Sequence, residues 1–248
     1  MSLICVILPW QNLAVNLAAE EYFLVHKEKD ESKIYLFFYE NFDAIVLGKT
    51  LNLTKEVWLN KKNLNILRRI SGGGSVAHFK GNLNYAIFLS QKRYPELFDV
   101  NKSYKRILGA ISTQFANKVQ IEQKGLSDLS VIQKNQYRKV SGNSQARKRG
   151  WILHHGTFLY DKKNISKISY YLKEPDRQPD YRNKRNHNNF MPIFTPVSSR
   201  SIIIKNIIMA FSTAFSLRAQ NIRHHEIFCK DEIKAIRQLS LESYLKLV

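Results

Sequence analysis

The sequence predicts an α/β (α+β) protein with a mixed, largely antiparallel central sheet flanked by helices. Short apolar runs of strand length alternate with polar turns over much of the 248 residues. Two longer stretches, residues 12–28 and 101–118, carry apolar residues at helical spacing. Many connections between strands resemble hairpins, and the order fits strict βαβ winding poorly.

The predicted strands follow from apolar runs bounded by polar turns. One turn, which contains Asn41 and Asp43, joins two such runs. The middle of the chain alternates further short strands with polar turns. The strands predicted individually are residues 2–8, 34–39, 44–48, 65–69, 75–78, 82–90 and 151–160.

The predicted helices are residues 12–28, behind a possible Asn12 cap, and 101–118, 164–173, 199–217 and 230–247. The polar, Pro-punctuated residues 173–189 are predicted to be a long loop of the kind that forms lids or is disordered. The longest apolar run starts at Ser201 and is broken by Lys205 and Asn206. It is shorter than the roughly 20 residues needed to span a bilayer, so we predict a buried helix and no membrane span.

Composition favours a soluble protein with a full core, because 44% of residues are hydrophobic and 24% are charged. Cys5 and Cys229 lie far apart, which excludes a disulfide framework and metal-type spacing and favours a reducing compartment. No basic region precedes the first apolar residues, so no secretory signal is predicted.

The net charge of +19 is the outlying property. It favours an acidic partner, although drift in a Lys/Asn/Ile-rich composition explains it equally well. Aromatic residues lie in apolar runs rather than among the basic ones, and no known nucleic-acid module is recognisable. A nucleic-acid partner is therefore not predicted.

Three glycines, Gly72–Gly74, follow Arg68 and Arg69. Glycines leave backbone N–H groups unobstructed, so the run could be a phosphate-binding nest or only a flexible turn. The Gly-Lys-Ser/Thr of a Walker loop and the helix-opening G-x-G-x-x-G of a dinucleotide site are both missing. The arginines favour the nest, since guanidinium groups suit phosphate, and at least one should face what the glycines surround.

A second basic segment, RKVSGNSQARKRG, spans residues 138–150. A solvated basic loop fits Arg147, Lys148 and Arg149. Lys139 differs, because the neighbouring Val140 indicates a strand position with one face inward. A lysine there would act as a point charge on a phosphate or carboxylate, not as a nucleophile.

His154 and His155 are adjacent on a predicted strand, so their side chains should point to opposite faces. They cannot chelate one metal together, and no Cys or carboxylate cluster supplies further ligands; a zinc site is not predicted. The nucleophile motif G-x-S-x-G is missing. Neither cysteine lies near these motifs in sequence.

Taken together and in chain order, these motifs resemble the lipoate–protein ligase A family. The family pattern RRxSGGGxVxHDxGNxN is matched by RRISGGGSVAHFKGNLN, residues 68–84. A later element, Lys-Val/Ile-Ser-Gly-Ser/Asn followed by His-His-Gly-Thr, is matched at 139–143 and 154–157. Pro9-Trp10 and Glu20-Glu21 match an N-terminal pattern, so the resemblance spans about residues 8–195.

The resemblance implies the catalytic fold shared with biotin protein ligases and class II aminoacyl-tRNA synthetases. It also implies a two-step reaction, in which ATP activates the lipoate carboxylate as lipoyl-AMP and a lysine of an acceptor domain then takes the lipoyl group. Fixed positive donors suit the first step, because adenylation brings two anions together and develops charge at the α-phosphorus.

The resemblance also assigns site residues. Lys139 would bridge the lipoyl carboxylate and the α-phosphate as the catalytic residue, and Asp128 would help to hold Mg²⁺ or the nucleotide. The residues expected to hold ATP are Arg69, Gly74, Ser75, Val76, Ala77, Asp128 and Lys139. The residues expected around the lipoyl group are Tyr39, Arg69, Gly73, His78, Lys139 and His155.

The acceptors implied by the family are acidic lipoyl domains of 2-oxoacid dehydrogenase complexes and the glycine-cleavage H protein. Such domains would give the positive charge a protein partner. A cytoplasmic location is expected.

The sequence departs from the family at several points. Phe79 stands where the family has aspartate, Leu126 and Ser127 where it has Arg-Asn, and Tyr39 near a family tryptophan. The chain ends where family members continue into a small accessory domain, so residues 1–248 are expected to be a single catalytic domain. Adenylation could then need a separate accessory subunit, the chain could be a compact self-sufficient ligase, or it could be a transferase of preformed lipoyl-AMP.

Two other functions are weighed against the ligase. Octanoyl- and lipoyl-transferases of the same fold use a cysteine nucleophile, and no cysteine lies near the matching motifs, so transfer from ATP or an adenylate is favoured. A lipoyl-domain-binding protein with impaired catalysis would fit Phe79 and Leu126. The presence of Lys139 argues against it.

Overall fold

The computed structural model describes residues 1–60, 65–116 and 119–244. An eight-stranded mixed sheet carries helices on both faces, and a three-stranded sheet shares part of its core. The predicted fold class is confirmed. The last residues of two predicted helices, 117–118 and 245–247, lie outside the described residues.

Eleven strands lie within the described residues, and seven of them match the individually predicted runs within a few residues. The strands are β1 Ser2–Ile7, β2 Lys33–Tyr39, β3 Ala44–Leu47, β4 Asn65–Arg68, β5 Val76–His78, β6 Asn82–Ser90, β7 Ile121–Lys124, β8 Asp128–Gln133, β9 Gln136–Lys148, β10 Trp151–Leu159 and β11 Arg218–Ile222. β7 and β8 lie in the middle of the chain, where short strands were predicted without bounds, β9 is longer than expected, and β11 was not predicted.

The large sheet has the strand order β11-β1-β2-β6-β10-β9-β8-β7. β1 pairs in parallel with β11 and β2, and every other neighbouring pair is antiparallel. Lys134-Asn135 and Arg149-Gly150, all at positive φ, make the two-residue turns of the β8–β9 and β9–β10 hairpins. The small sheet has the order β4-β3-β5. β2 and β3 therefore do not pair, although only a short turn separates them.

The segment predicted as a solvated basic loop is a strand. β9 continues to Lys148, and only Arg149 and Gly150 form the turn. Arg147 is half-buried and its Nη2 donates to Ser103 Oγ at 2.9 Å. The prediction was wrong there because pairing with β10 satisfies the backbone of a sequence that has little strand propensity.

The helices are α1 Leu13–Val25, α2 Leu53–Glu56, α3 Val100–Phe115, α4 Ile165–Tyr171, α5 His187–Phe190, α6 Arg200–Ala214, α7 His224–Ile227 and α8 Lys230–Glu242. The predicted cap of α1 is confirmed, because Asn12 Oδ1 accepts the Val15 N–H at 3.2 Å. α6 buries only one face, and Ile202 and Met209 are exposed. No helix within the described residues is long and apolar enough to cross a membrane.

Residues 173–191, which we call the strap, contain regular structure. They contain a 3-10 turn at Asp180–Arg182 and the short helix α5. Arg138 Nη1 donates to the carbonyls of Asn189 and Met191 at 2.8 and 3.1 Å, which ties the strap to β9. The predicted long loop is thus a folded segment, and a side chain of β9 donates hydrogen bonds to its backbone carbonyls.

Alternation along the strands sorts side chains between the two faces of the large sheet. Ile34, Leu36 and Phe38 of β2 pack toward α3 and α6, whereas Phe37 and Tyr39 pack toward α1. The same alternation separates His154, beside Tyr104, from His155, which contacts α1. The predicted opposite orientation of the two histidines is confirmed.

Phe79, the departure from the family pattern, is a core residue of the small sheet. Its side chain is 1% exposed, its ring stacks on Tyr171 at 6.1 Å, and it packs with Ile45, Ile168 and Leu172. The position holds the small sheet against α4, so an apolar residue there needs no functional explanation.

We expect Phe79→Ala to lower the free energy of unfolding by about 3–5 kcal/mol, because it removes a buried aromatic ring and leaves a cavity. Urea unfolding measures this loss. The matched control is Phe42→Ala, at a ring that is 67% exposed, which should change stability by less than about 0.5 kcal/mol. Equal effects of the two changes would contradict the assignment of Phe79 to the core.

Candidate functional site

Two connected chambers lie beside the glycine turn. The inner chamber has a volume of about 110 Å³ and the outer chamber about 360 Å³. The residues that line both are Gly74, Ser75, Val76, Ser127, Asp128, Lys139, Gly142 and Thr157. Most of them come from the segment after β4 and from neighbouring parts of β8, β9 and β10.

The glycine turn is held by its carbonyl groups. Arg69 Nη2 donates to the carbonyls of Gly72 and Gly74, and Ser144 Oγ donates to the Gly72 carbonyl at 2.7 Å. Gly73 has a φ of 83°, which favours glycine. Within the described residues, the N–H groups of Gly73, Gly74 and Ser75 donate to no other group. The turn therefore has the unpaired N–H groups that an anion-binding nest needs.

The two arginines before the turn have different roles. Arg68 Nη1 donates to the carbonyls of Gly48 and Leu51 at 2.9 and 2.7 Å, which fixes the loop after β3. Arg69 lines the inner chamber. Gly48 allows this arrangement, because a Cβ there would lie 1.9 Å from the carbonyl oxygen of Gly73.

A hydrogen-bond chain runs along the wall of the inner chamber. Arg69 Nε donates to Ser71 Oγ at 2.8 Å, and Ser71 Oγ lies 2.6 Å from His155 Nε2. His155 Nδ1 lies 2.7 Å from Glu20 Oε2, and Tyr39 donates its O–H to Glu20 Oε1 at 2.7 Å. Burial, the Glu20 carboxylate and the bond to it together raise the pKa of Tyr39, so its hydroxyl stays a donor.

His78 is held in its neutral form on the same chamber wall. Asn41 Nδ2 donates to His78 Nδ1 at 2.8 Å, so the ring proton lies on Nε2, beside Thr157 Oγ1 at 3.5 Å. Burial, with smaller contributions from Arg69 and His155, lowers the pKa of His78 to about 3. His78 therefore offers a neutral N–H rather than a charge.

Lys139 lies where the two chambers meet. β8 pairs Leu129 with Ser141 but Ser130 with Lys139, so Val140 is the extra residue of a β-bulge. A bulge changes the direction of side chains, and here Val140 is buried while Lys139 reaches the site. Gly142 leaves room for the lysine, because a Cβ there would lie 2.8 Å from Lys139 Cε and Nζ.

The ammonium of Lys139 is paired with a buried carboxylate. Asp128 Oδ1 lies 2.8 Å from Lys139 Nζ, and Asp128 Oδ2 accepts the Tyr181 hydroxyl at 2.7 Å. Burial and the neighbouring Asp128 raise the pKa of Tyr181, so that hydroxyl also stays a donor. The strap, through Tyr181, thus contacts the charged pair directly.

The outer chamber is positively charged. Five of its lining side chains are basic and two are acidic. The basic residues are Lys124, Lys139, Lys173, Arg177 and Arg182, and the acidic residues are Glu56 and Asp128. The strap supplies much of the outer wall, and Arg182 is fixed by an ion pair with Glu174. This charge pattern suits a polyanionic ligand.

All the residues expected at the site lie around these two chambers. Those expected to bind the lipoyl group, Tyr39, Arg69, Gly73, His78, Lys139 and His155, line the inner chamber. Those expected to bind nucleotide, Gly74, Ser75, Val76, Ala77, Asp128 and Lys139, line the outer one, whereas Arg69 lines only the inner one. Leu126 lines the outer chamber and Phe79 lines neither.

No sequence pattern predicted a role for Glu20, Ser71 or Tyr181. Glu20 carried a usable signal, because it shares a helical face with Leu17 and Leu24, and an acid on a buried face needs a partner. Ser71 lay inside the recognised motif, but its partner is 84 residues away. Tyr181 had no signal, since its contact depends on how the strap folds.

The residues described here give limited support for a metal. They contain no group of three His, Cys, Asp or Glu side chains that could hold one. Asp128 is a single carboxylate in the outer chamber, which fits Mg²⁺ only if the ligand supplies most of the oxygens.

The cysteines lie away from the chambers. Cys5 is buried in the core of the large sheet, and burial raises its pKa to about 12. Cys229 is exposed at the start of α8. Neither is among the residues that line the two chambers.

Comparison with known proteins gives consistent matches. A family model described as the lipoyl protein ligase A/B catalytic domain matches residues 12–216. Lipoate-protein ligase A of Blochmanniella floridana is 36% identical over 172 residues, which is 68% of this chain and 46% of that protein. The match thus spans about half the length of that relative.

Solved structures agree on the fold. A bi-partite lipoate protein ligase from Thermoplasma acidophilum, studied with its E2 lipoyl domain, has a TM-score of 0.74 and 22% identity over 97% of this chain and 92% of its own. A lipoate-protein ligase A bound with ATP has a TM-score of 0.71 and 21% identity over 97% of this chain and 94% of its own.

Buried histidines should make stability depend on pH. Burial, His155 and Arg147 lower the pKa of His154 to about 3, from an ordinary value of 6.5. The unfolded chain therefore binds a proton that the folded chain does not, and His154 destabilises the fold as pH falls below 6.5. When the pH falls from 7.5 to 5, His154 should lower the unfolding free energy of the parent by about 2 kcal/mol. We expect His154→Gln to lack this contribution.

Urea unfolding at several pH values measures this difference. The control His26→Gln removes an exposed histidine and should keep the pH dependence of the parent. If His154→Gln also kept it, His154 would not be the group that titrates.

Proposed function

The chain belongs to the family of lipoyl protein ligase A/B catalytic domains, and on that premise we propose that it is an ATP-dependent lipoate–protein ligase. In this reaction lipoate and ATP form lipoyl-AMP, and the lipoyl group then passes to a lysine of a lipoyl domain. The names of its relatives support the reaction class, and the similar fold of a ligase bound with ATP is consistent with nucleotide binding.

The position of Lys139 is the observation that carries the proposal. Its ammonium is at the junction between a small chamber and a positively charged one. An acid in the inner chamber and a triphosphate in the outer chamber would bring a carboxylate and an α-phosphate together at this junction. A fixed ammonium there reduces the repulsion between the two anions.

In the first step, a carboxylate oxygen of lipoate attacks the α-phosphorus, and the bond to pyrophosphate breaks. Negative charge grows on the oxygens around phosphorus, where Lys139 and the free N–H groups of the glycine turn are available as donors. The strap and its basic side chains would hold the departing pyrophosphate in the outer chamber.

In the second step, the neutral amine of the acceptor lysine attacks the carbonyl carbon of lipoyl-AMP. The bond between that carbon and the AMP oxygen breaks, the amine loses a proton to solvent, and an amide forms. Lys139 would stabilise the phosphate of the leaving AMP, so one residue serves both steps.

Mg²⁺ is part of the proposal, with Asp128 as its protein ligand. The ion would neutralise phosphate charge, and phosphate oxygens and water would complete its coordination, as is usual for Mg²⁺. Both oxygens of Asp128 are bonded to Lys139 and Tyr181, so binding would require one of these partners to move.

We further propose lipoyl domains of 2-oxoacid dehydrogenase complexes and the glycine-cleavage H protein as acceptors, residues 1–248 as a single catalytic domain, and a cytoplasmic location. The net charge of +19 suits an acidic acceptor. A solved ligase of similar fold was studied with an E2 lipoyl domain. A cysteine relay is not favoured, since neither cysteine is near the chambers.

Intact mass of an acceptor lipoyl domain tests the function. The protein is offered lipoate with Mg-ATP, lipoyl-AMP, or octanoyl-carrier protein in separate reactions. We expect modification with the first two donors. Modification only from lipoyl-AMP would make the chain a transferase or one that needs an accessory subunit for adenylation. Modification only from the carrier would overturn the ligase proposal, and none from any donor would favour a binding protein.

Lys139→Ala should reduce modification of the acceptor by at least about 100-fold with either active donor, because oxyanion-type donors contribute effects of this size. The matched control is Lys148→Ala on the same strand, where the side chain is exposed and outside both chambers. Full activity of Lys139→Ala would show that Lys139 is not the catalytic residue.

Gly74 should matter for ligand binding and not for folding. A Cβ at Gly74 would meet nothing within 4 Å, and Gly74 lines both chambers. We expect Gly74→Ala to keep its thermal stability and to bind Mg-ATP about tenfold more weakly by calorimetry, the effect of a roughly 1.4 kcal/mol steric cost.

Gly109→Ala is the control for Gly74→Ala. It also adds a Cβ with open space around it, but within α3 and outside both chambers. It should leave ATP affinity unchanged. Equal ATP affinity of the parent and Gly74→Ala would remove the turn from the nucleotide site.

A further inference from the structure

We propose that Glu20 is a positioning residue for the glycine turn. Through His155 and Ser71 it fixes Arg69, and Arg69 fixes the direction of the N–H groups that would meet a phosphate. The role of the turn in nucleotide binding rests on the proposed function, whereas the physical coupling between Glu20 and the turn does not.

Glu20 is a deeply buried charge with a defined set of partners. It is 1% exposed and lies on α1, 135 residues before His155. Its two oxygens accept from Tyr39 and from His155. A buried carboxylate is costly unless it is paired, so the fold retains Glu20 only with these donors around it.

The donor and the acceptor of each hydrogen bond between Arg69 and Glu20 follow from what each group can donate. The Ser71 hydroxyl accepts from Arg69 Nε, and within the described residues its other hydrogen-bond partner is His155 Nε2 at 2.6 Å. The hydroxyl proton therefore goes to Nε2, which must carry a lone pair. His155 is then neutral, with its proton on Nδ1, and donates that proton to Glu20.

The chain joins two buried opposite charges through two neutral groups. Arg69 is buried, and burial, partly offset by the Glu20 carboxylate, lowers its pKa to about 10. Removal of the Glu20 charge takes away part of the compensation for the guanidinium. The bonds that Arg69 makes at its other end should then change.

Arg69 controls the turn through peptide planarity. It donates to the carbonyls of Gly72 and Gly74. In a trans peptide the C=O of one residue and the N–H of the next point in opposite directions within one plane. The hydrogen bond to the Gly72 carbonyl therefore orients the Gly73 N–H, and the hydrogen bond to the Gly74 carbonyl orients the Ser75 N–H. These are groups without a partner in the described residues.

The competing explanation is that Glu20 acts only on the inner chamber, where lipoate would bind, because its partners Tyr39 and His155 line that chamber. The two roles predict different kinetics. A positioning role in the glycine turn raises KM for ATP, whereas a role confined to the inner chamber raises KM for lipoate. The neutral variant Glu20→Gln keeps the size of the side chain and one acceptor oxygen, whereas its NH2 group replaces the second carboxylate oxygen. It therefore tests the charge together with the second acceptor.

We expect Glu20→Gln to raise KM for ATP about tenfold and KM for lipoate less than about twofold, because a hydrogen bond to a charged group is typically worth a factor of this size. Glu21→Gln is the matched control. Glu21 is the next residue of α1 and also accepts a tyrosine hydroxyl, from Tyr244, but lies outside both chambers. It should leave both constants unchanged. A rise in KM for lipoate alone would overturn the proposal.

The same inference can be tested without ligand or activity. Gly72–Gly73 and Gly73–Gly74 are the only Gly-Gly bonds in the sequence. Glycine labelled with ¹³C at the carbonyl and ¹⁵N at the amide therefore gives two peaks in an HNCO spectrum, from the Gly73 and Gly74 amides. We expect both peaks to shift in Glu20→Gln and to stay in place in Glu21→Gln. Unshifted peaks in Glu20→Gln would overturn the coupling.

Ser71→Ala provides a second route if Glu20→Gln does not fold. It breaks the chain at another link and should shift the same two peaks. Where both variants fold, their effects on KM for ATP should not add in the double variant, because either change alone already interrupts the series of hydrogen bonds from Glu20 to Arg69. Additive effects would contradict the proposal that Glu20 and Ser71 act through the same series of hydrogen bonds. If the parent failed to bind ATP, the proposed function would fail, while the two NMR peaks would still decide the coupling.

Discussion

The site depends on the burial of one guanidinium. Arg69 lies under the glycine turn, where its Nη2 holds two carbonyl oxygens and its Nε begins the chain to Glu20. A buried charge is costly unless nearly every donor is satisfied, so the turn, Ser71, His155 and α1 must all adopt compatible positions. The requirement links three segments that are far apart in sequence, which are the glycine turn with Ser71, β10 and α1, and leaves the N–H side of the turn open.

The large sheet supplies the geometry that this charge requires. Alternation on β2 and β10 turns Tyr39 and His155 toward α1, where Glu20 can reach both. The bulge at Val140 breaks that alternation where Lys139 has to reach the junction of the chambers. Regular pairing therefore builds the buried wall, and one irregularity places Lys139, the only lysine among the described residues that lines the inner chamber.

The sequence predicted what depends on local pattern and missed what depends on distant pairing. α1 and α3 were predictable because their apolar spacing and their caps are local. β11 was not, because it is polar and exposed and forms only through parallel pairing with β1. At the site, the motifs identified Arg69, Lys139 and His155. The division of labour between Arg68 and Arg69 was not predictable, since it depends on which carbonyls lie near each guanidinium.

The pair formed by Lys139 and Asp128 suits a site whose ligands are anions. Asp128 Oδ1 lies 2.8 Å from Lys139 Nζ, and this pairing limits the cost of partly burying the two charges. Under the proposed reaction, a carboxylate and a phosphate would become better partners for Lys139, and Asp128 would then be available to a cation that accompanies the nucleotide. Tyr181 donates to the other oxygen of Asp128, so this exchange would also be felt by the strap that closes the outer chamber. The strap and the ligands are thus linked through a single carboxylate.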